Sequence, residues 1–242
     1  MKLNKNHTLL LLLILNLCGC SRMKSSMSKE NNSAATPTSL PVSANSPIAI
    51  EKSEAIAAQV RYLEGEPSYV FYNSSPSIET NDSEIRYAQI IQKTPLVLSE
   101  SKALVSKSEF KNRYISSVVE HKGVTWIYYV EGDSYKDLAK SYRAQWQNEK
   151  LVNIEKLEFG KKLVVRLWQQ FYSHDDNVYM VHTGGGMFFS ASEDGNTFSD
   201  FKKVHGYSAQ PRISVIGDDL ITTFQKGNWK KGEMKALFSI SK

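Results

Sequence analysis

The chain has 242 residues, 41% of them hydrophobic, with 30 Lys and Arg against 25 Asp and Glu and a net charge of +5. That excess is too small to argue for a nucleic-acid partner, whose phosphates call for a concentrated basic face. The 2 cysteines are Cys18 and Cys20, so nothing beyond Cys20 offers a thiol for a disulfide, a zinc site or nucleophilic attack.

In chain order, Lys2 and Lys5 precede the apolar run "TLLLLLILNL" at residues 8–17. The run is too short for an ordinary membrane span and has the form of a signal-peptide core. It leads into "LCGC" at residues 17–20. This resembles a bacterial lipobox, in which an apolar residue and two small ones precede an obligatory cysteine. The resemblance implies a signal peptide over residues 1–19, cleavage before Cys20, and acylation of Cys20. The bilayer is then a partner, held by several acyl chains without a spanning helix. Ser21 after the cysteine resembles the default for sorting to the outer membrane. The competing reading is an ordinary signal peptide with incidental cysteines.

Residues 20–50 are rich in Ser, Asn, Thr and Pro, and no aromatic precedes Tyr62. Such a segment cannot bury enough apolar surface to offset its ordering entropy and reads as a flexible tether. Residues 51–242 form one domain. Its apolar stretches are short, β-branched and aromatic, as in "RYISSVVE", "VTWIYYVE", "NVYMVHT", "RISVIG" and "LITTFQK". Polar turns such as "HKG", "HDD" and "GDD" separate them. Helical periodicity is confined to "EKSEAIAAQV" and "YKDLAKSYRAQW", and the second also reads as a strand.

The strands repeat in order. Each unit has an apolar strand, a tight polar turn, an aromatic-rich strand, a looser loop and a strand ending like "IRYAQ", "SYRAQ", "FFSAS" or "LFSIS". These endings place Ala88, Ala144, Ala191 and Ile240 in one register, at intervals of about 50 residues. Fourth strands follow in three units, as "TPLVLS", "KLVNIEKL" and "TFSDFKKV". Four antiparallel strands in roughly 45–50 residues describe a β-propeller blade. The fold expected is all-β, a β-propeller of about four blades, closed or incomplete. A β-sandwich is the alternative. Residues 47–52, "PIAIEK", are a candidate for the outer strand missing from the last blade.

One motif adds a family resemblance. "SEDGNTF", residues 192–198, resembles the Asp box of sialidase and BNR-repeat propellers through Ser192, Asp194, Gly195, Thr197 and Phe198. Turn chemistry accounts for it: Gly195 supplies an unusual backbone angle, and Asp194, Ser192 and Thr197 can bond to turn amides. A calcium loop would need more oxygen ligands, and no metal or cofactor is expected. Asp175/Asp176 and Asp218/Asp219 read as hairpin turns on the same end of the molecule.

A ligand is therefore expected at the opposite end, where the second-to-third and fourth-to-first strand loops gather. Arg113 and Arg212 start corresponding inner strands and could clamp a carboxylate together; edge salt bridges are the other reading. The sialidase resemblance implies an arginine cluster, a Tyr–Glu nucleophile pair and an Asp acid, for which Tyr207, Glu131 and Asp133 are the nearest candidates. "PRIS" at residues 211–214 is a partial echo of the family's arginine motif. Trp229 is a candidate sugar platform. The function expected is a non-catalytic, membrane-anchored envelope protein that binds a glycan or protein, an inhibitor or immunity partner included. The alternative is a sialidase-related glycoside hydrolase.

Overall fold

The computed structural model describes residues 60–74, 83–94, 96–104, 112–134, 137–160, 168–183, 186–198, 201–206, 209–216, 219–228 and 233–241. They are all-β, in four successive antiparallel sheets that follow the sequence units. The first sheet holds β1 (Val60–Leu63), β2 (Tyr69–Ser74), β3 (Glu84–Lys93) and β4 (Leu96–Leu98) in order, with β5 (Lys102–Ala103) also paired to β3. The second runs β6 (Asn112–His121), β7 (Val124–Ser134), β8 (Asp137–Gln147) and β9 (Lys150–Lys156). After the short β10 (Glu158–Phe159), the third holds β11 (Gln169–His174), β12 (Asn177–Thr183), β13 (Met187–Ser192) and β15 (Lys202–His205). The fourth holds β16 (Ala209–Ile216), β17 (Asp219–Asn228) and β18 (Glu233–Ser241). This is the meander of propeller blades rather than the crossed order of a sandwich. Residues 137–146 of the ambiguous "YKDLAKSYRAQW" lie in β8. Its Ser141, Arg143 and Ala144 are buried by pairing on both edges, with β7 and with β9.

Two tight hairpins turn the chain where the tripeptides "HKG" and "HDD" suggest, and a third turns at residues 147–150, "QNEK", which was not among the expected turns. Lys122/Gly123, Asn148/Glu149 and Asp175/Asp176 all have positive φ, between 46° and 72°. Two consecutive left-handed residues are what a type I′ turn requires, and its twist matches that of the strands. Asp175 and Asp176 are thus a hairpin tip. Asp219 opens β17, and Asp218 lies outside the described residues.

The core lies between blades. Tyr69, Phe71, Ile85 and Tyr87 of the first blade meet Ile115, Ile127, Tyr129 and Ala144 of the second. Val119, Trp126 and Tyr128 of the second meet Phe171, Val178, Met180 and Phe198 of the third. Val181 and Met187 of the third meet Ile213 and Phe224 of the fourth. Each large side chain so buried contributes about 1.5–3 kcal/mol, so a blade is stable through its neighbours. Burial on both faces explains why all six residues of β2 are covered.

Two expectations are corrected. Ala191 is not equivalent to Ala144: it is exposed, while Ser190 and Ser192 on either side are buried. Met180, in the core against the second blade, faces Ser190 across the ladder. The true equivalence is therefore one residue away, on the opposite face of the strand. Nor is "TFSDFKKV" one outer strand. Lys202–His205 takes the outer position, whereas β14 (Thr197–Phe198) leaves the sheet and pairs in parallel with β10. The candidate closing strand at residues 47–52 lies outside the described residues.

Candidate functional site

The turn at residues 193–196 is built as its residue types dictate. Asp194 Oδ1 accepts from Ser192 Oγ at 2.7 Å, Asn196 N at 2.7 Å and Thr197 N at 2.8 Å, and Oδ2 accepts from Thr197 Oγ1 at 3.0 Å. Burial alone would raise the Asp194 pKa, but the bonds from Thr197, Ser192 and Asn196 prevail and hold it below the usual carboxylate range. Gly195 has φ +69°. Its carbonyl accepts from Tyr128 Oη at 2.8 Å, and Arg143 Nη1 donates to the Asp194 carbonyl. Burial pushes the Tyr128 hydroxyl up to about 12, so it stays a donor. Phe198 is fully buried and packs edge-on against Phe171. The carboxylate and amides of this turn are spent within it, and the Asp194 and Gly195 carbonyls join the third blade to the second.

At the opposite end the second blade presents Arg113, Glu131 and Asp133. Arg113 and Glu131 lie directly opposite on β6 and β7, with Arg113 Nε 2.9 Å from Glu131 Oε1. Both are largely covered, with side-chain exposures of 17% and 5%. Asn112, fully buried, donates from Nδ2 to the Asp133 carbonyl at 2.8 Å. Ser83 of the first blade bonds through Oγ to the Arg113 carbonyl at 3.1 Å, and its own carbonyl accepts from Arg113 N at 3.0 Å. Asp133 itself is exposed. Arg113 is therefore an ion-pair partner of Glu131, and the expected clamp of Arg113 with Arg212 is replaced by another pair.

That pair is Arg61 and Arg212. The first strands of the blades neighbour one another, β1 with β6, β6 with β11, and β11 with β16. On them, the Gln170 side-chain amide lies 2.6 Å from Arg61 Nη2 and 2.8 Å from Arg212 Nη1. Both guanidinia are donors only, so the amide oxygen must face them. Arg61 Nε also donates to the Ser116 carbonyl at 2.7 Å. Ser116 is the residue left over in the β6 bulge, where the ladder skips from Ile115 to Ser117. Four inner strands thus send one group each to a single polar node. Burial, and then the neighbouring Arg212, lower the Arg61 pKa to about 10, and the group remains charged at neutral pH.

Around the node further polar side chains are buried, Asn73 on β2, Ser116 on β6, Ser141 on β8 and Gln169 on β11. Ser141 Oγ donates to Gln169 Oε1 at 3.0 Å, and Asn73 Oδ1 accepts from Ile115 N at 2.9 Å. Asn73 Nδ2, Ser116 Oγ and Gln169 Nε2 are buried without a hydrogen-bond partner. Such atoms mark places where water or a polar ligand belongs. Among the described residues no group of three or more His, Cys, Asp or Glu could hold a metal ion. Tyr207, Trp229 and Cys20 lie outside the described residues.

Arg61 and Gln170 escaped sequence reasoning. A weak signal for Arg61 was present, since the "RY" of Arg113–Tyr114 in β6 also occurs at Arg61–Tyr62, but it occurs at Arg86–Tyr87 in β3 as well. Gln170, in "WQQFY", carries no comparable mark.

No protein-family model matches the chain, and no curated protein matches it in sequence. Solved structures match in fold. One is a GH43 β-xylosidase/α-arabinofuranosidase from a compost microbial metagenome, in complex with xylotriose. Its TM-score is 0.52 at 7% identity, over 75% of this chain and 68% of that one. An endo-arabinase from Bacteroides thetaiotaomicron has TM-score 0.52 at 13% identity, over 74% and 73%. An exo-1,5-α-L-arabinanase from a bovine ruminal metagenomic library has TM-score 0.52 at 10% identity, over 75% and 72%. These likenesses support the β-propeller, and they support it through arabinanases and xylosidases rather than sialidases. The three structures named are glycoside hydrolases, so they count against the expected non-catalytic binder and fit the alternative, a glycoside hydrolase, better. At such identities the likeness is one of fold.

Proposed function

We propose that the protein is a glycoside hydrolase whose substrate enters at the end of the propeller bearing Glu131 and Asp133. The observation that carries this reading is the fold shared with arabinanases and xylosidases. The local chemistry is compatible with it. Hydrolysis of a glycosidic bond needs two carboxyl groups, one to protonate the leaving oxygen and one to attack or to activate water. Asp133 is exposed and its backbone is pinned by Asn112, so its carboxyl is presented on a fixed support. Glu131, two residues earlier, is held by Arg113. In this reading Asp133 is the group that meets solvent and substrate, and Glu131 is the positioned carboxylate beside it. Cys20 acylation would keep the enzyme at a membrane.

The test is release of reducing sugar from arabinan, xylan and sialylated glycans by the protein beginning at residue 21. The proposal expects turnover of at least one of them, lowered about a hundredfold or more in Asp133→Asn with the fold intact. No release from the panel, or full activity in Asp133→Asn, contradicts it. Release confined to sialylated glycans would restore the sialidase assignment.

A further inference from the structure

We infer that the outer edge of β18 is a docking site for residues 47–52 of the same chain, which add to the fourth sheet as its outer strand and tie the last blade to the first. The inference is independent of the hydrolase reading.

The edge comes first. Each of the first three sheets carries a strand outside its third one: β4 beside β3, β9 beside β8 and β15 beside β13. Among the described residues β18 pairs only with β17, over its whole length from Glu233 to Ser241. Every second residue of β18 therefore turns its N–H and C=O away from β17. An edge of this length is a template for a further strand, which main-chain hydrogen bonds would hold.

Direction then selects the occupant. Glu233 opens β18 opposite Asn228, the last residue of β17. A strand antiparallel to β18 would finish at that end of the sheet. β15 does so in the third blade, its last residue His205 lying opposite Met187, the first of β13. β1 begins at the same end, with Val60 opposite Tyr72 toward the end of β2. A chain leaving the added strand is thus delivered where β1 starts. Residues 53–59 would make the connection, between the lengths of residues 157–168 and 206–208, which do this in the second and third blades. An outer strand stands three strand spacings from its own inner strand, roughly 14 Å, and residues 53–59 extend over roughly 25 Å. The inner strands of the two blades lie close, since the Gln170 amide is within 2.8 Å of both Arg61 on β1 and Arg212 on β16.

The sequence of the segment agrees. In "PIAIEK" Ile48 and Ile50 alternate with Ala49 and Glu51, and Pro47 stands at the first position, where a strand tolerates it. The outer strand β9 reads "KLVNIEK", and its closing "IEK" recurs at residues 50–52. A segment held by so short a connection has an effective concentration of about a millimolar or more, which favours it over a second copy or another protein.

Hydrogen exchange of the full chain in detergent, read by mass spectrometry, tests this. Amides of residues 48–52 should exchange at least about tenfold more slowly than those of residues 25–40. Ile50→Pro removes one donor from the ladder and should speed exchange at residues 233–241, while residues 124–134 and 177–183 keep their protection. Asn31→Pro, before the segment, should change neither. Sedimentation should show a monomer, with protection at residues 48–52 independent of protein concentration. Exchange at residues 48–52 as fast as at residues 25–40 overturns the inference, and this comparison needs no variant, so it decides even where Ile50→Pro unfolds. A folded Ile50→Pro with unchanged exchange at residues 233–241 overturns it too. Protection that rises with concentration alongside a dimer overturns the intrachain assignment and gives the edge to a second copy.

Discussion

Replacing Gly195 by alanine tests how the third blade is fastened to the second. Gly195 sits at φ +69°, and a Cβ there would lie 2.8 Å from Tyr128 Oη, 2.9 Å from Arg143 Nη1 and 3.1 Å from Val178 Cγ2. None of these neighbours yields easily. Tyr128 is fully buried and stacked on Phe171 at 4.2 Å, and Arg143 lies over the Trp126 ring at 4.0 Å while paired with Glu155. A left-handed alanine costs about 1–2 kcal/mol and overpacking a closed site about 1–3 kcal/mol. The expected loss is about 2–5 kcal/mol, a large share of a domain's typical 5–15 kcal/mol. Urea unfolding followed by tryptophan fluorescence measures it as a lower midpoint. Tyr128→Phe removes the nearest clashing atom together with one hydrogen bond. The double variant should therefore be less destabilised than the sum of the singles. A loss below about 1 kcal/mol in Gly195→Ala, or strict additivity, would refute the reasoning.

Further expectations concern the two ends of the blades. Phe198→Ala should cost about 3–5 kcal/mol, because the ring is fully buried between blades; thermal melting reads this directly. Asp194 is held below its ordinary pKa by the turn, so its stabilising effect is complete above about pH 4 and fades as pH falls toward the lower folded value. The stability gap between wild type and Asp194→Asn should accordingly shrink on acidification below pH ~4, and a gap that widened would contradict the assignment. Arg113→Gln and Glu131→Gln should each destabilise by about 1–3 kcal/mol, with the double variant losing less than their sum, since each single change leaves a covered charge behind. Incorporation of a labelled fatty acid should occur in the full chain and vanish in Cys20→Ala if the lipobox resemblance holds.

Much of the fold was legible because propeller blades are local. Strand, tight turn and strand follow one another within a few dozen residues, and "HKG" and "HDD" declare their turns through the residues that enter left-handed conformations. The turn at Asp194 was legible for the same reason, every hydrogen bond lying within three residues of the carboxylate. Register was harder. Ala191 resembles Ala144 in its neighbours, yet only the ladder from β12 shows that it faces outward. The pairing of β10 with β14 joins residues far apart in sequence and has no local pattern. The arginine node is the extreme case. Arg61 reaches a carbonyl 55 residues away and an amide on the third blade, while Arg113, the more conspicuous arginine, is taken by its cross-strand neighbour Glu131. Where a blade's inner strand ends relative to the others decides which side chains meet, and that offset is set by the packing between blades.

The most direct test of the hydrolase assignment is the initial rate on aryl α-L-arabinofuranoside, β-xyloside and β-glucuronide substrates, measured side by side for wild type and Asp133→Asn. The account predicts turnover of at least one substrate by the wild type and its loss in the variant, with both proteins unfolding at the same urea concentration. Equal rates in the two proteins, or no turnover of any substrate by a well-folded wild type, would contradict it.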